Sequence, residues 1–157
     1  MSLLHDLLNH KPGFLIGAAV KKSLKERSHI DLTEKSKLFT EPNDKYNLYV
    51  TVAYFKKRQP TKANFLSMAA VMLDDIGTKC RFSDLPLVPT YLVCTSPGSH
   101  QAWYLLNEPL EDLDEATALV DGMAARVGSD PGARGAYRIG RLGAGVNSKL
   151  EHVKAYG

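Results

Sequence analysis

Three short stretches carry side chains whose types and spacing could do chemistry together. The first is Asp74-Asp75, which closes the apolar run MAAVMLDD. Two carboxylates at the end of a buried strand are costly unless paired, hydrogen-bonded or metal-bound. Hard divalent cations such as Mg²⁺ are commonly held by one or two carboxylates together with substrate phosphates. The plain alternative is a strand ending in a turn, where Asp is at home and Gly77 supplies the bend. Adjacent strand residues point to opposite faces, so both acids reach one metal only if the strand bulges or ends between them. The second stretch is TSPGSHQAWYLL, from Thr95 to Leu106. Its turn, with Ser96, Gly98 and Ser99, offers backbone N–H groups and two hydroxyls as a cradle for phosphate oxygens. His100 and Gln101 follow at the start of a strand and alternate in direction, so only one of them is expected to face a ligand bound there. The alternative here is a hairpin turn beside a core Trp103. The third stretch is RIGRLGAGVNSK, with Arg138, Arg141, Asn147 and Lys149. Two arginines, a Gly-rich backbone, then Asn and Lys suit phosphate binding; a basic surface loop is the bland reading.

Other chemistries are disfavoured. The glycines of the third stretch are not followed by Lys-Ser or Lys-Thr, so a P-loop is absent. There is no G-x-S-x-G elbow, no cysteine-protease signature and no H-E-x-x-H. The histidines, at positions 5, 10, 29, 100 and 152, are scattered and form no His-hydrophobic-His pair of the nicking-enzyme type.

The elements that must position these groups follow from periodicity. Ser2 to His10 reads as a short amphipathic helix stopped by Pro12-Gly13. Phe14 to Lys45 resists assignment, although it contains the apolar run FLIGAAV. Tyr46 to Phe55 is rich in β-branched and aromatic residues and predicts a strand, followed by Lys56, Lys57 and Arg58. Met68 to Asp75 predicts a central strand buried on both faces. Tyr91 to Thr95 and Gln101 to Leu106 predict a hairpin. From Asp112 to Val127 the apolar residues recur at intervals of three and four, with acids in the first turn and Gly128 as a stop, which predicts a helix. A short strand is expected at Tyr137 to Arg141.

Composition bounds the rest. The chain has 157 residues, 44% hydrophobic and 24% charged, with net charge +3, which is one ordinary domain and not a disordered chain. No stretch approaches the ~18 apolar residues of a membrane span, and the N-terminus has no secretory pattern. Two cysteines are too few for a disulfide scaffold, so a reduced cytoplasm is expected. Twelve Lys/Arg against five Asp/Glu lie between Lys11 and Asn64, seven acids and one base between Leu106 and Gly132, and five bases and one acid from Ala133 onward. Segregated basic charge suits a phosphate-bearing partner, although on charge alone a solvated surface is the favoured reading.

In their order and spacing, LDDIGTK, PTYLVCTSPGSHQAWYLL, a helix, Asp130 and RIGRLGAGVNSK resemble the primase-polymerase domains of phages and plasmids, in the archaeo-eukaryotic primase superfamily and its RepB-like branch. The resemblance runs from about Tyr46 to Lys149, roughly two-thirds of the chain. It implies an α+β fold, a compact catalytic core related to the RNA-recognition motif, with a mixed, mostly antiparallel sheet and packed helices. Residues 1–157 are then one domain, 46–149 its motif-bearing core, with residues 1–45 unassigned and the whole open to being part of a longer replication protein. The implied activity is nucleotidyl transfer from nucleoside triphosphates on a single-stranded DNA template, with Mg²⁺ or Mn²⁺ on Asp74, Asp75 and a third acid, Asp130 with Asp121 behind it. Ser96, Gly98, Ser99, His100 or Gln101, Arg138, Arg141, Asn147 and Lys149 would contact the nucleotide, and Lys56, Lys57 and Arg58 the template. A helicase domain or another replication protein is the implied partner. The sequence departs from the pattern in three places: the first two acids are adjacent, Gln101 follows His100, and no Pro-Gly follows Leu142. A non-catalytic DNA-binding relative is therefore the alternative, and a metal-dependent nuclease a third reading.

Overall fold

The computed structural model describes residues 2–9, 13–21, 27–31, 39, 42, 44–129 and 135–145. Among them run α1 (Leu3–Asn9), β1 (Phe14–Lys21), β2 (Arg27–Asp31), β3 (Tyr46–Phe55), β4 (Phe65–Ile76), β5 (Tyr91–Ser96), β6 (Ser99–Leu110), α2 (Leu113–Val127) and β7 (Ile139–Arg141). The strands form one antiparallel sheet in the order β2-β1-β3-β4-β6-β5, and β7 pairs with β3. The expected α+β core with a mostly antiparallel sheet is what the chain builds. The unassigned region after Pro12 contributes β1 and β2.

β4 is the centre. Met68 to Leu73 are all at most 5% exposed, so this strand is covered on both faces, as its unbroken apolarity predicts. It pairs with β3 only at Ala53–Phe55, near their connection. Farther back, the same edge of β3 takes β7, with Tyr49 opposite Arg141 and Thr51 opposite Ile139. The sheet therefore opens between β3 and β4, and β7 lies in the opening. Gly140 permits this, because a Cβ there would come within 2.1 Å of the Trp103 ring.

Asp112 caps α2 by accepting from the backbone N–H of Asp114 and Glu115, and Gly128 ends it at φ 72°. The buried side chains Ala116, Val120, Ala124 and Val127 form one stripe, which packs on β4. α1 buries Leu3, Leu4 and Leu7 and is pinned by two phenols: Tyr54 donates to the Leu7 carbonyl and Tyr91 to the Asp6 carboxylate. No helix among the described residues is long and apolar enough to cross a membrane.

Candidate active site at the end of the central strand

The β4–β6 register steps from Leu73 opposite Ala102 to Ile76 opposite His100. Asp74 and Asp75 together therefore oppose the single residue Gln101, which is a β-bulge. This is the departure from simple alternation that two adjacent acids need if they are to serve one site. Asp75 takes φ 62°, the left-handed conformation, and is the one non-glycine to do so among the described residues. The bulge is held locally. The Asp74 carboxylate accepts the Asp75 N–H at 2.9 Å, and the Asp75 carbonyl receives the N–H groups of Thr78, Lys79 and Cys80. Lys79 Nζ lies 2.6 Å from Asp75 Oδ2. Ser129, just past α2, accepts the Asp74 N–H and donates to the Asp74 carbonyl, both at 3.2 Å. Cys80 Sγ is 3.9 Å from that carbonyl, and burial, reinforced by the Asp75 charge, pushes its thiol pKa up.

The Ser96–Ser99 turn adjoins the bulge. Gly77, at φ 93°, faces the Gly98 carbonyl so closely that a Cβ would sit 2.4 Å from it. Pro97 followed by Gly98 at φ 75° makes the tight link between β5 and β6. Thr95 Oγ1 donates to the Ser99 carbonyl, and Ser99 is itself buried. His100 and Gln101 diverge as alternation requires. The His100 ring meets Phe82 edge-to-face with centroids 5.3 Å apart, and its buried Nδ1 has no hydrogen-bond partner among the described residues. Gln101 is buried on the other face, where its Oε1 accepts the Arg141 N–H at 2.8 Å.

Arg141 is 9% exposed. Its guanidinium donates to Asn47 Oδ1 at 3.1 Å and to the Tyr49 hydroxyl at 3.0 Å, and lies 4.9 Å over the Tyr49 ring. Asn47, Tyr49 and Ser129 carry no motif in the sequence that marks them as site residues. The one local hint is Asn47, a poor strand former at a position two residues from Tyr49 and hence on the same face of β3.

Asp74, Asp75, the Ser96–Ser99 turn and His100 thus adjoin one another at the end of β4, while Gln101, opposite the acids, links them through the sheet to Arg141 on the other face. Arg138 does not join them: its side chain is exposed against Gly135 and lines a groove away from the acid pair. Lys56, Lys57 and Arg58 are exposed in the β3–β4 connection, at the other end of β4, with the Arg58 guanidinium 5.7 Å from the Phe14 ring centroid. Asp121 is exposed on α2. Asp130, Asn147 and Lys149 lie outside the described residues; Ser129, which precedes Asp130, is the residue bonded to Asp74. The donor set at the bulge is hard carboxylate oxygen, which fits Mg²⁺ or Mn²⁺ shared with substrate phosphates. Among the described residues no three His, Cys, Asp or Glu side chains cluster as a complete protein cage.

Residues 44–157 match the family model of the RepB DNA-primase N-terminal domain. Among solved structures, the chain is similar to the AEP domain of the cyanophage S-2L primase-polymerase, at 18% identity and TM-score 0.67, covering 89% of this chain and 78% of that one. It is also similar to the catalytic domain of primase RepB′ in complex with initiator DNA, at 16% identity and TM-score 0.57, covering 88% and 72%. A further RepB′ primase structure matches at 16% identity and TM-score 0.53, covering 82% and 44%. No curated protein matches the sequence.

Proposed function

The chain belongs to the RepB DNA-primase N-terminal domain family, and from that premise we propose that it is an active nucleotidyltransferase which joins nucleoside triphosphates on a single-stranded DNA template. The observation that carries the reading is the bulge, which seats two carboxylates opposite Gln101, itself tied to Arg141. Asp74 and Asp75 would hold Mg²⁺ or Mn²⁺, with Asp130 as the third acid; a bound divalent cation supplies charge neutralisation at the triphosphate. Phosphoryl transfer of this kind is mostly positioning and charge stabilisation. The Ser96–Ser99 turn would present backbone N–H groups and the half-buried Ser96 hydroxyl to phosphate oxygens, with His100 beside them, while Ser99, which is buried, would shape the turn. Gln101 fixes β7, and Asn47 and Tyr49 fix the Arg141 guanidinium, so the cation is held pre-oriented. Asn147 and Lys149 complete the phosphate-binding set, and Lys56, Lys57 and Arg58 contact the template. The partners are the template, nucleoside triphosphates and a helicase domain or other replication protein, in a bacterial host.

One observation favours the second reading, a primase-fold DNA-binding module without catalysis: Lys79 already neutralises one of the paired acids. The deciding experiment incubates the protein with Mg²⁺ or Mn²⁺, labelled nucleotides and single-stranded template. Short products that vanish in Asp74→Asn and in Asp75→Asn, with thermal midpoints within a few degrees, support the transferase. No products, with DNA affinity unchanged in both variants, makes the chain a binding module. Degradation of the template makes it a nuclease.

A further inference from the structure

A groove lies away from the acid pair, between the β3–β4 connection and α2. It has a volume of about 630 Å³, within the range of small-molecule sites. Its walls come from the β3–β4 connection, the first turns of α2 and the segment that leads into β7. Lys62 and Arg138 line it, with Tyr137, Thr117 and Asp114. Tyr137 is half-buried and its ring is fixed edge-to-face against Phe65, with centroids 6.5 Å apart. Phe65 is the first residue of β4, and Asp74 follows nine positions later, about 30 Å along a strand at ~3.3 Å per residue.

We propose that this groove is a second nucleotide site, holding one phosphorylated nucleotide unit with its phosphate between Lys62 and Arg138 and its base against Tyr137. The combination is that of single-strand binding surfaces, in which cations track the backbone and an aromatic ring stacks a base without regard to sequence. Thr117 keeps its hydroxyl turned to the Leu113 carbonyl, so it adds shape and no donor. Asp114 opposes a phosphate at its own position but accepts the N–H groups of a base edge. The source of the nucleotide is argued from the charge around the groove. Lys56, Lys57 and Arg58 continue outward along the same connection, and no Asp or Glu occurs from Lys45 to Leu73. A polyanion lying along that connection reaches the groove with one of its units, whereas a lone nucleotide has no use for the outer cations. The assignment of a DNA strand to this surface rests on the primase reading above.

The test uses the full chain, a fluorescent single-stranded oligonucleotide and, separately, a free deoxynucleoside triphosphate. Tyr137→Leu keeps apolar bulk against Phe65 but removes the ring, and weakens the oligonucleotide by about fivefold or more, the lower end for one base–aromatic stack. Tyr137→Phe restores the affinity. Lys62→Ala combined with Arg138→Ala flattens the log–log salt dependence by about 0.7, the contribution of the one phosphate they share on a single strand. Losses confined to the oligonucleotide place a strand in the groove; equal losses for the free triphosphate make it a site for free nucleotide. Unchanged oligonucleotide affinity and salt slope in both variants overturn the proposal. Failure of the transferase reading looks different: the unaltered chain then incorporates no nucleotide while the Tyr137 and Lys62/Arg138 losses persist.

Discussion

Asp75 occupies a backbone conformation that glycine adopts at no steric cost and that most side chains avoid. A chain that keeps a carboxylate at such a position accepts local strain there, and strain of this kind gathers at functional sites. Its ion pair with Lys79 offsets little, because the Lys79 side chain is 64% exposed. Asp75→Gly should therefore leave the denaturation midpoint unchanged or raise it, while abolishing nucleotide incorporation. Asp75→Val, β-branched in the same conformation, should cost about 1–3 kcal/mol in chemical denaturation. A stability loss in Asp75→Gly as large as in Asp75→Val would mean that the carboxylate is there to hold the turn. At this scale the sequence makes the acid pair visible and states the condition, a bulge, under which it can work. It does not locate the bulge, because register is set by a partner strand more than twenty residues away. Arg141 shows the same limit. Its type suggests an open phosphate ligand, whereas its burial comes from Asn47 and Tyr49, 94 and 92 positions away.

β7 is three residues long and could not hold a place in a sheet by its own hydrogen bonds. It is kept by the fit of Gly140 on Trp103 and by the Gln101–Arg141 bond. Gly140→Ala should overpack this contact and cost about 1–3 kcal/mol, the usual range for added bulk in a filled core. Gly122 provides the control. It lies in α2 with nothing near its added Cβ, so Gly122→Ala should gain about 0.5–1 kcal/mol from helix propensity. Equal effects at the two glycines, read by urea denaturation, would show that β7 is only loosely seated. Elements with strong periodicity or a clear stop are legible: α1, β3, the β5–β6 hairpin and α2 lie within a few residues of their expected bounds. β1 and β2 are not, since Gly17-Ala18-Ala19 lacks the β-branched signal of a strand and β2, RSHID, is polar. β6 runs on to Leu110 through Asn107, Glu108 and Pro109, residues that read as a loop.

For the whole molecule, the N-terminal segment matters more than its weak sequence signal suggests. The family match begins at residue 44, yet the two most extensive structural matches cover 89% and 88% of the chain. The reason is visible in the sheet, where β1 pairs along β3, and a buried Thr51 hydroxyl takes the Ile16 N–H where that pairing shifts register. α1, at seven residues, is too short to persist alone in water, so it exists because it docks. Leu7 is fully buried in the contact, and its carbonyl receives Tyr54 from the middle of the fold. If residues 1–157 form one cooperative unit, Leu7→Ala should destabilise all of it by about 2–5 kcal/mol, the range for a buried Leu truncated to Ala. For a chain of this size that lowers the midpoint by about 2–4 °C per kcal/mol. The exposed His5 on the same helix, changed to Ala, should shift it by no more than a degree or two. The measurement is calorimetric unfolding of both variants beside the parent chain. A single transition displaced in Leu7→Ala alone makes α1 part of the core that carries the acid pair. A Leu7→Ala trace that keeps the parent midpoint and adds a separate early transition would instead make the N-terminal segment an independent appendage, with the candidate site held entirely by β3 to β7.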